Sequence, residues 1–251
     1  MKQSKSSTFL LLLLAALLAG RPARAQTTPG PEARLPAAEA LRQEYAAATV
    51  NYPYLYNGPE YADYTRKYHT RTGHQFFLLP DALPGAANYN DREFADVRLQ
   101  YDLVRDQVVL SQPGTPLKLR FIDEKVRSFA VDGHHFVRLV ADSSSANTIR
   151  TGYFELLADG PVQVLAKRGK VLYEHLNKPY VDVSFEESSR LYMQKAGRYY
   201  SVRSKGTALR RFADHSKEMQ QYLKEHHLRF NKASRENSVA ELTRYYNGLA
   251  Q

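Results

Sequence analysis

From Phe94 onward, apolar and polar positions alternate in short runs. Val97, Leu99, Tyr101 and Leu103 alternate with Arg98, Gln100 and Asp102, which is the period of a half-buried strand. Arg105-Asp106 turns this run into Val108–Leu110. Leu117, Leu119 and Phe121 then alternate with Lys118 and Arg120, and Asp123-Glu124 leads into Val126–Val131. Asp132-Gly133 marks a hairpin, because both residues tolerate the positive φ of a type I′ turn; its return strand is expected over His135–Ala141. Tyr153–Leu157, Val162–Ala166 and Val171–Tyr173 read as a three-stranded meander, and Leu191–Gln194 with Tyr199–Val202 as one more hairpin. Turns this tight leave no room for helical crossovers, so the strands are expected to be antiparallel.

The period changes at both ends. Ala37–Val50 places Leu41, Tyr45 and Ala48 on one face of a short helix. Residues 51–93 are broken repeatedly by Pro, Gly and Asn, with one short strand expected at Gln75–Leu79. Near the C-terminus two helices are expected, over residues 215–227 and 237–248. Ser238-Val-Ala-Glu241 has the pattern of a capping box, and Gly248 that of a C-cap. The fold class is therefore mainly β with flanking helices: an antiparallel barrel, curved sheet or sandwich of about ten strands plus two C-terminal helices. The organisation follows as a signal peptide at 1–25, a flexible lead-in at 26–36, a helix and Tyr-rich arm at 37–93, a β domain at 94–206 and a helical tail at 207–251.

The signal peptide rests on Lys2 and Lys5, the apolar run Phe9–Ala19, and Ala23-Arg24-Ala25 as a small-x-small cleavage site. A membrane anchor is the rival, but Gly20-Arg21-Pro22 ends the run short of the roughly 20 residues a span needs. The expectation is an exported protein, periplasmic or extracellular, with no transmembrane span. Cleavage also changes the charge. The 251-residue chain has 35 Lys+Arg against 26 Asp+Glu, a net of +9. Four of the basic residues (Lys2, Lys5, Arg21, Arg24) leave with the signal, so 31 face 26 and the net falls to +5. That removes much of the case for a nucleic-acid partner. The absence of Cys rules out disulfides, thiolate metal sites and a cysteine nucleophile.

Candidate chemistry is sparse. No G-x-S-x-G elbow, G-x-G-x-x-G loop, Walker A or H-E-x-x-H motif occurs, so neither a metal nor a cofactor is expected. Asp132, His134 and His135 form a polar cluster at the hairpin, but adjacent residues of a strand point to opposite faces. His69 and His74 lack a metal-ligand spacing. Seven of the 18 tyrosines fall between Tyr45 and Tyr68. Tyr52, Tyr54 and Tyr56 alternate, while Tyr61, Tyr64 and Tyr68 recur at helical spacing with Arg66 interleaved. Such a segment suits an aromatic platform for an anionic envelope polymer; packing of the arm onto the sheet is the plainer explanation. The evenly mixed charges of the tail read as a solvated helical face.

The stretches LQYDLVRDQVVL, VRSFAVDGHHFVRL and GYFELLADGPVQVLAKR, with the tail KEMQQYLKEHHLRFNKASRENSVAELTRYYNGL, resemble secreted proteins of the Bacteroidota to which no activity is assigned. The resemblance covers roughly residues 50–250. It implies a β-rich core with C-terminal helices and transfers no catalytic residue. The functional expectation is a non-enzymatic envelope protein that binds or scaffolds an anionic envelope component or another envelope protein. The alternative is a periplasmic hydrolase acting on glycan or peptide.

Overall fold

The computed structural model describes residues 52–112 and 114–249. The signal peptide, the lead-in and the helix expected over Ala37–Val50 lie outside the described residues. The chain is mainly β. A four-residue helix α1 (Tyr52–Leu55) and a 3-10 turn (Tyr64–Lys67) precede the strands β1 (Arg71–Thr72), β2 (Leu83–Tyr89), β3 (Arg92–Asp102), β4 (Gln107–Ser111) and β5 (Lys118–Arg120). A 3-10 turn at Asp123–Lys125 leads to β6 (Val126–Val131), β7 (His134–Leu139), β8 (Gly152–Ala158) and β9 (Val162–Lys167). Then come β10 (Lys170–Asn177), β11 (Tyr180–Glu187), β12 (Arg190–Lys195) and β13 (Arg198–Ser201). Helix α2 (Lys205–Leu209), a 3-10 segment (Arg210–His215), α3 (Ser216–Glu225) and α4 (Arg235–Leu249) close the chain.

Ten strands form one large curved sheet in the order β13-β12-β9-β8-β7-β6-β2-β3-β4-β5, and every pairing in it is antiparallel. The turn chemistry explains the hairpins. Asp132-Gly133 (φ 49° and 79°) joins β6 to β7, and Ala196-Gly197 (φ 49° and 73°) joins β12 to β13. One half of the sheet buries an aromatic core that includes Tyr89, Tyr101, Phe121, Phe129, Phe136 and Tyr153. The other half is covered on both faces. Val164, Ala166, Leu191 and Met193 pack under the helices against Phe212, Met219, Val239 and Leu242. Leu165 and Tyr192, one residue out of step, pack with Ile149 and Phe154 on the opposite face. Burial on both faces is why these strands read as continuous apolar runs.

Several of the expected elements are corrected. Gln75–Leu79 is not a strand: only Phe76 bridges to Asp102, and the first strand of the large sheet is β2. Residue 93 accordingly falls inside the β2–β3 hairpin, and the arm's Leu55 and Phe77 belong to the same core as that hairpin. The meander also fails at its third strand. The free edge of β9 is taken by β12, with Arg190 opposite Lys167. The backbone N–H of Lys170 donates to Leu103 O, and its ammonium donates to the carbonyls of His74 and Phe76. These bonds send β10 away to pair with β11, in a separate sheet of order β1-β11-β10. Finally, α4 begins at Arg235, so Ser238 lies inside the helix and its hydroxyl donates to Arg229 O. Gly248 likewise precedes the helix end. Among the described residues no helix is long and apolar enough to cross a membrane.

Candidate functional site

The tyrosine-rich arm does not form one open platform. Tyr52 lies in α1, and Tyr54 is exposed with the Arg92 guanidinium 4.0 Å from its ring centre. Tyr56 is half-buried against the core. Tyr61 and Tyr68 are buried, and Tyr64 is half-buried. The hydroxyls of the last three are spent internally. Tyr61 donates to Asp102 Oδ2 at 2.8 Å, Tyr64 to Asp102 Oδ1 at 3.3 Å, and Tyr68 to Glu174. Burial, reinforced by the Asp102 charge, pushes the Tyr61 and Tyr64 phenols far up. Asp102 itself is fully buried and also accepts from the backbone N–H groups of Val104 and Arg105. Burial raises its carboxyl despite these bonds. Arg66 is exposed. Tyr61 and Tyr68 are buried where packing needs them.

The hairpin cluster also divides. Asp132 and His135 are exposed, while His134 faces the sheet, with its Nδ1 2.5 Å from Glu155 Oε1. Glu155 Oε2 accepts from Arg168 at 2.6 Å, and Arg168 reaches Glu236 of α4 at 2.8 Å. His134 is thus the outer member of a chain that ties β7 and β8 to the last helix. His69 stacks on Tyr180 at the surface, whereas His74 is half-buried and pushed down chiefly by burial. Among the described residues no group of three or more His, Asp or Glu could hold a metal ion.

The structure instead brings together residues from four distant segments at the β12–β13 edge of the large sheet. They line a cavity of about 790 Å³, within the range of small-molecule sites. Five arginines face it: Arg190 from the start of β12, Arg203 after β13, Arg210 and Arg211 from the 3-10 segment, and Arg235 at the start of α4. Tyr192, Tyr199 and Tyr200 lie between them, with Asn147, Thr148, Ser189, Ser201 and Thr207 adding neutral polar groups. The lining contains neither a carboxylate nor an imidazole.

The strand register builds this arrangement. Arg190 is directly opposite Lys167, and Tyr192 directly opposite Ser201. The Val202 N–H then donates to Leu191 O, which carries Arg203 to the level of Arg190. Lys167, Arg190 and Arg203 therefore sit on three neighbouring chain segments, one strand spacing of about 4.8 Å apart. Like charges so placed repel. Among the described residues, none of the five arginines pairs with a carboxylate. Their contacts are of other kinds. Arg235 Nη1 donates to Arg203 O, Arg210 Nε donates to Gly206 O, and the Arg211 guanidinium lies 4.1 Å from the Tyr200 ring centre. The Nε groups of Arg211 and Arg235 are buried with no acceptor. A buried donor without an acceptor costs about 1–3 kcal/mol. The amino end of α4, opened by Arg235, adds its partial positive charge to the same rim.

One signal for this site was present in the sequence. From Arg190 to Ala213 there are five Arg and two Lys without a single Asp or Glu. Its meaning depends on Asn147, Thr148 and Arg235, which come from elsewhere in the chain. Neither a protein-family model nor a curated protein nor a solved structure matches this sequence.

Proposed function

We propose that the protein is an exported, non-enzymatic binding protein of the cell envelope, and that it holds an anionic envelope component in the arginine-lined cavity. The observation that carries this is the set of five arginines converging on one cavity without a carboxylate partner among the described residues. Guanidinium groups match carboxylate, sulfate and phosphate in a planar, two-point fashion. A lining that donates hydrogen bonds but offers no general base favours holding an anion over breaking a bond in it. Export rests on the N-terminal pattern of Lys2, Lys5 and Phe9–Ala19.

The test is calorimetric titration of the full chain with tripolyphosphate at low ionic strength. Binding is expected, and the double variant Arg190→Gln/Arg211→Gln should weaken it by more than roughly tenfold. The arm variant Arg66→Gln should bind as the parent does. Equal binding by parent and double variant, or loss of binding on the arm alone, would move the site away from this cavity.

A further inference from the structure

A second cavity, of about 550 Å³, adjoins the first and shares Asn147, Thr148, Arg190 and Tyr192 with it. Its cations are of a different kind. Lys167 is 2.6 Å from Asp106 Oδ2, and the other oxygen of Asp106 accepts from Tyr101 at 2.5 Å. Burial holds the Lys167 ammonium below its usual range even beside Asp106. The pair is built in tightly: a Cβ on Gly152 would lie 2.1 Å from Asp106 Oδ2 and 2.6 Å from Lys167 Nζ. Arg168 is matched by Glu155 and Glu236. Only Arg150 and the shared Arg190 carry charge there with no ion-pair partner among the described residues. The remaining lining mixes Ser188, Asn147 and Thr148 with Ile149 and the rings of Phe154 and Tyr192.

Charge demand therefore falls steeply from one cavity to the next, while space and neutral hydrogen-bonding capacity continue. Building on the proposed anion site, we infer that the ligand is a linear acidic oligosaccharide. Its acid-bearing end sits among the five arginines, and its following sugar residues run past Arg190 into the second cavity. A uniformly charged polymer such as polyphosphate fits this gradient poorly. It would bring a phosphate to the Asp106 carboxylate, and its acceptor-only surface makes no use of the Asn and Ser groups as acceptors. Sugar hydroxyls both donate and accept, and their apolar ring faces suit aromatic and aliphatic walls. The acid group is a uronate carboxylate or a sulfate, since arginine receives both alike.

The experiment compares ligands of increasing length at near-physiological salt, using the full chain. An aldobiouronic and an aldohexaouronic acid, each bearing one terminal uronate on neutral sugars, are titrated beside a disaccharide and a hexasaccharide sulfated only on the terminal residue, and beside pyrophosphate and a hexameric polyphosphate. Affinity is expected to rise by about tenfold or more with length in at least one sugar series and by less than about threefold in the phosphate series. The tighter sugar series names the acid group. Ala146, exposed at the rim of the second cavity alone, gives the control. Ala146→Trp should cancel the gain from length while leaving the disaccharide affinity unchanged. Sugar affinities that do not grow with length, or phosphates that gain equally, overturn the oligosaccharide inference and leave the anion site standing. Failure of every anion to bind removes both.

Discussion

In the arm, the hydroxyls of Tyr61 and Tyr64 both end on the Asp102 carboxylate. In the cavity, the guanidinium groups of Arg190, Arg203, Arg210, Arg211 and Arg235 end on no carboxylate among the described residues. The two regions are the most unusual in composition, one rich in tyrosine and the other in arginine without acids. Their polar groups are managed in opposite ways. The arm closes its hydrogen bonds internally, as buried polar groups must if they are to add to stability. The cavity leaves charge uncompensated and two buried N–H donors unmet. Composition alone does not separate a packing element from a region whose charges stay open; the place where each polar group finds its partner does.

The comparison breaks first at Asp102. Its carboxylate accepts four hydrogen bonds, from Tyr61, Tyr64 and two backbone amides. Asp102→Ala leaves those donors unmet, and a loss of about 3 kcal/mol is expected from urea unfolding. A loss below about 1 kcal/mol would mean that the arm does not depend on this closure. The same residue gives a pH signature of definite sign. Burial raises the folded-state pKa of Asp102, so the folded chain binds its proton more tightly than the unfolded chain does. Its contribution is fully present below the unfolded value of about 3.9 and is lost as pH rises through the raised folded value. Stability of the parent relative to Asp102→Asn should therefore decline with rising pH across that window. A difference that stays flat or increases would show that the hydrogen bonds to the carboxylate outweigh its desolvation.

Much of the fold was legible because it is local. Alternation placed the strands on either side of Asp132-Gly133 and Ala196-Gly197, and the change of period near the C-terminus placed the two final helices. What failed were choices between distant partners. Nothing in Val171–Tyr173 says that β9 will take β12 as its neighbour and release β10 to a second sheet. Strand β11 alternates Val181, Val183 and Phe185 with Asp182, Ser184 and Glu186, yet its turn, Lys178-Pro179, carries neither the Gly nor the Asp that marked the other hairpins. The capping box at Ser238 matched a local pattern, but the helix is already under way at Arg235. The tyrosine cluster was visible as composition, while its burial depended on Asp102, 41 residues beyond Tyr61. The arginine cavity was the least legible feature. It joins the loop at Asn147, the β12–β13 edge, the 3-10 segment and the first turn of α4, and only tertiary structure brings these together.

The smallest effect is also the one whose sign matters most. Arg190 is exposed, lies directly opposite Lys167 and has Arg203 at its level on the other side. Arg190→Gln should therefore raise stability by a few tenths of a kcal/mol, through relief of like-charge repulsion, and the gain should shrink as salt is added. Lys167 already has Asp106 as a partner, which keeps the expected gain small. The matching change in the arm runs the other way. Arg66 is exposed too, but the Asp63 carboxyl, raised by burial, is held below the usual range chiefly by hydrogen bonds from Thr65 and more weakly by the charges of Arg71 and Arg66, so Arg66→Gln should cost at most a comparable amount. Urea midpoints for the two variants, at low and high salt, give the comparison directly. Opposite signs at low salt that converge at high salt would mean that the arm uses its charges for folding while the cavity holds its charges at folding's expense. Two losses of equal size would place Arg190 among the ordinary structural residues and remove the strain that an anion is proposed to relieve.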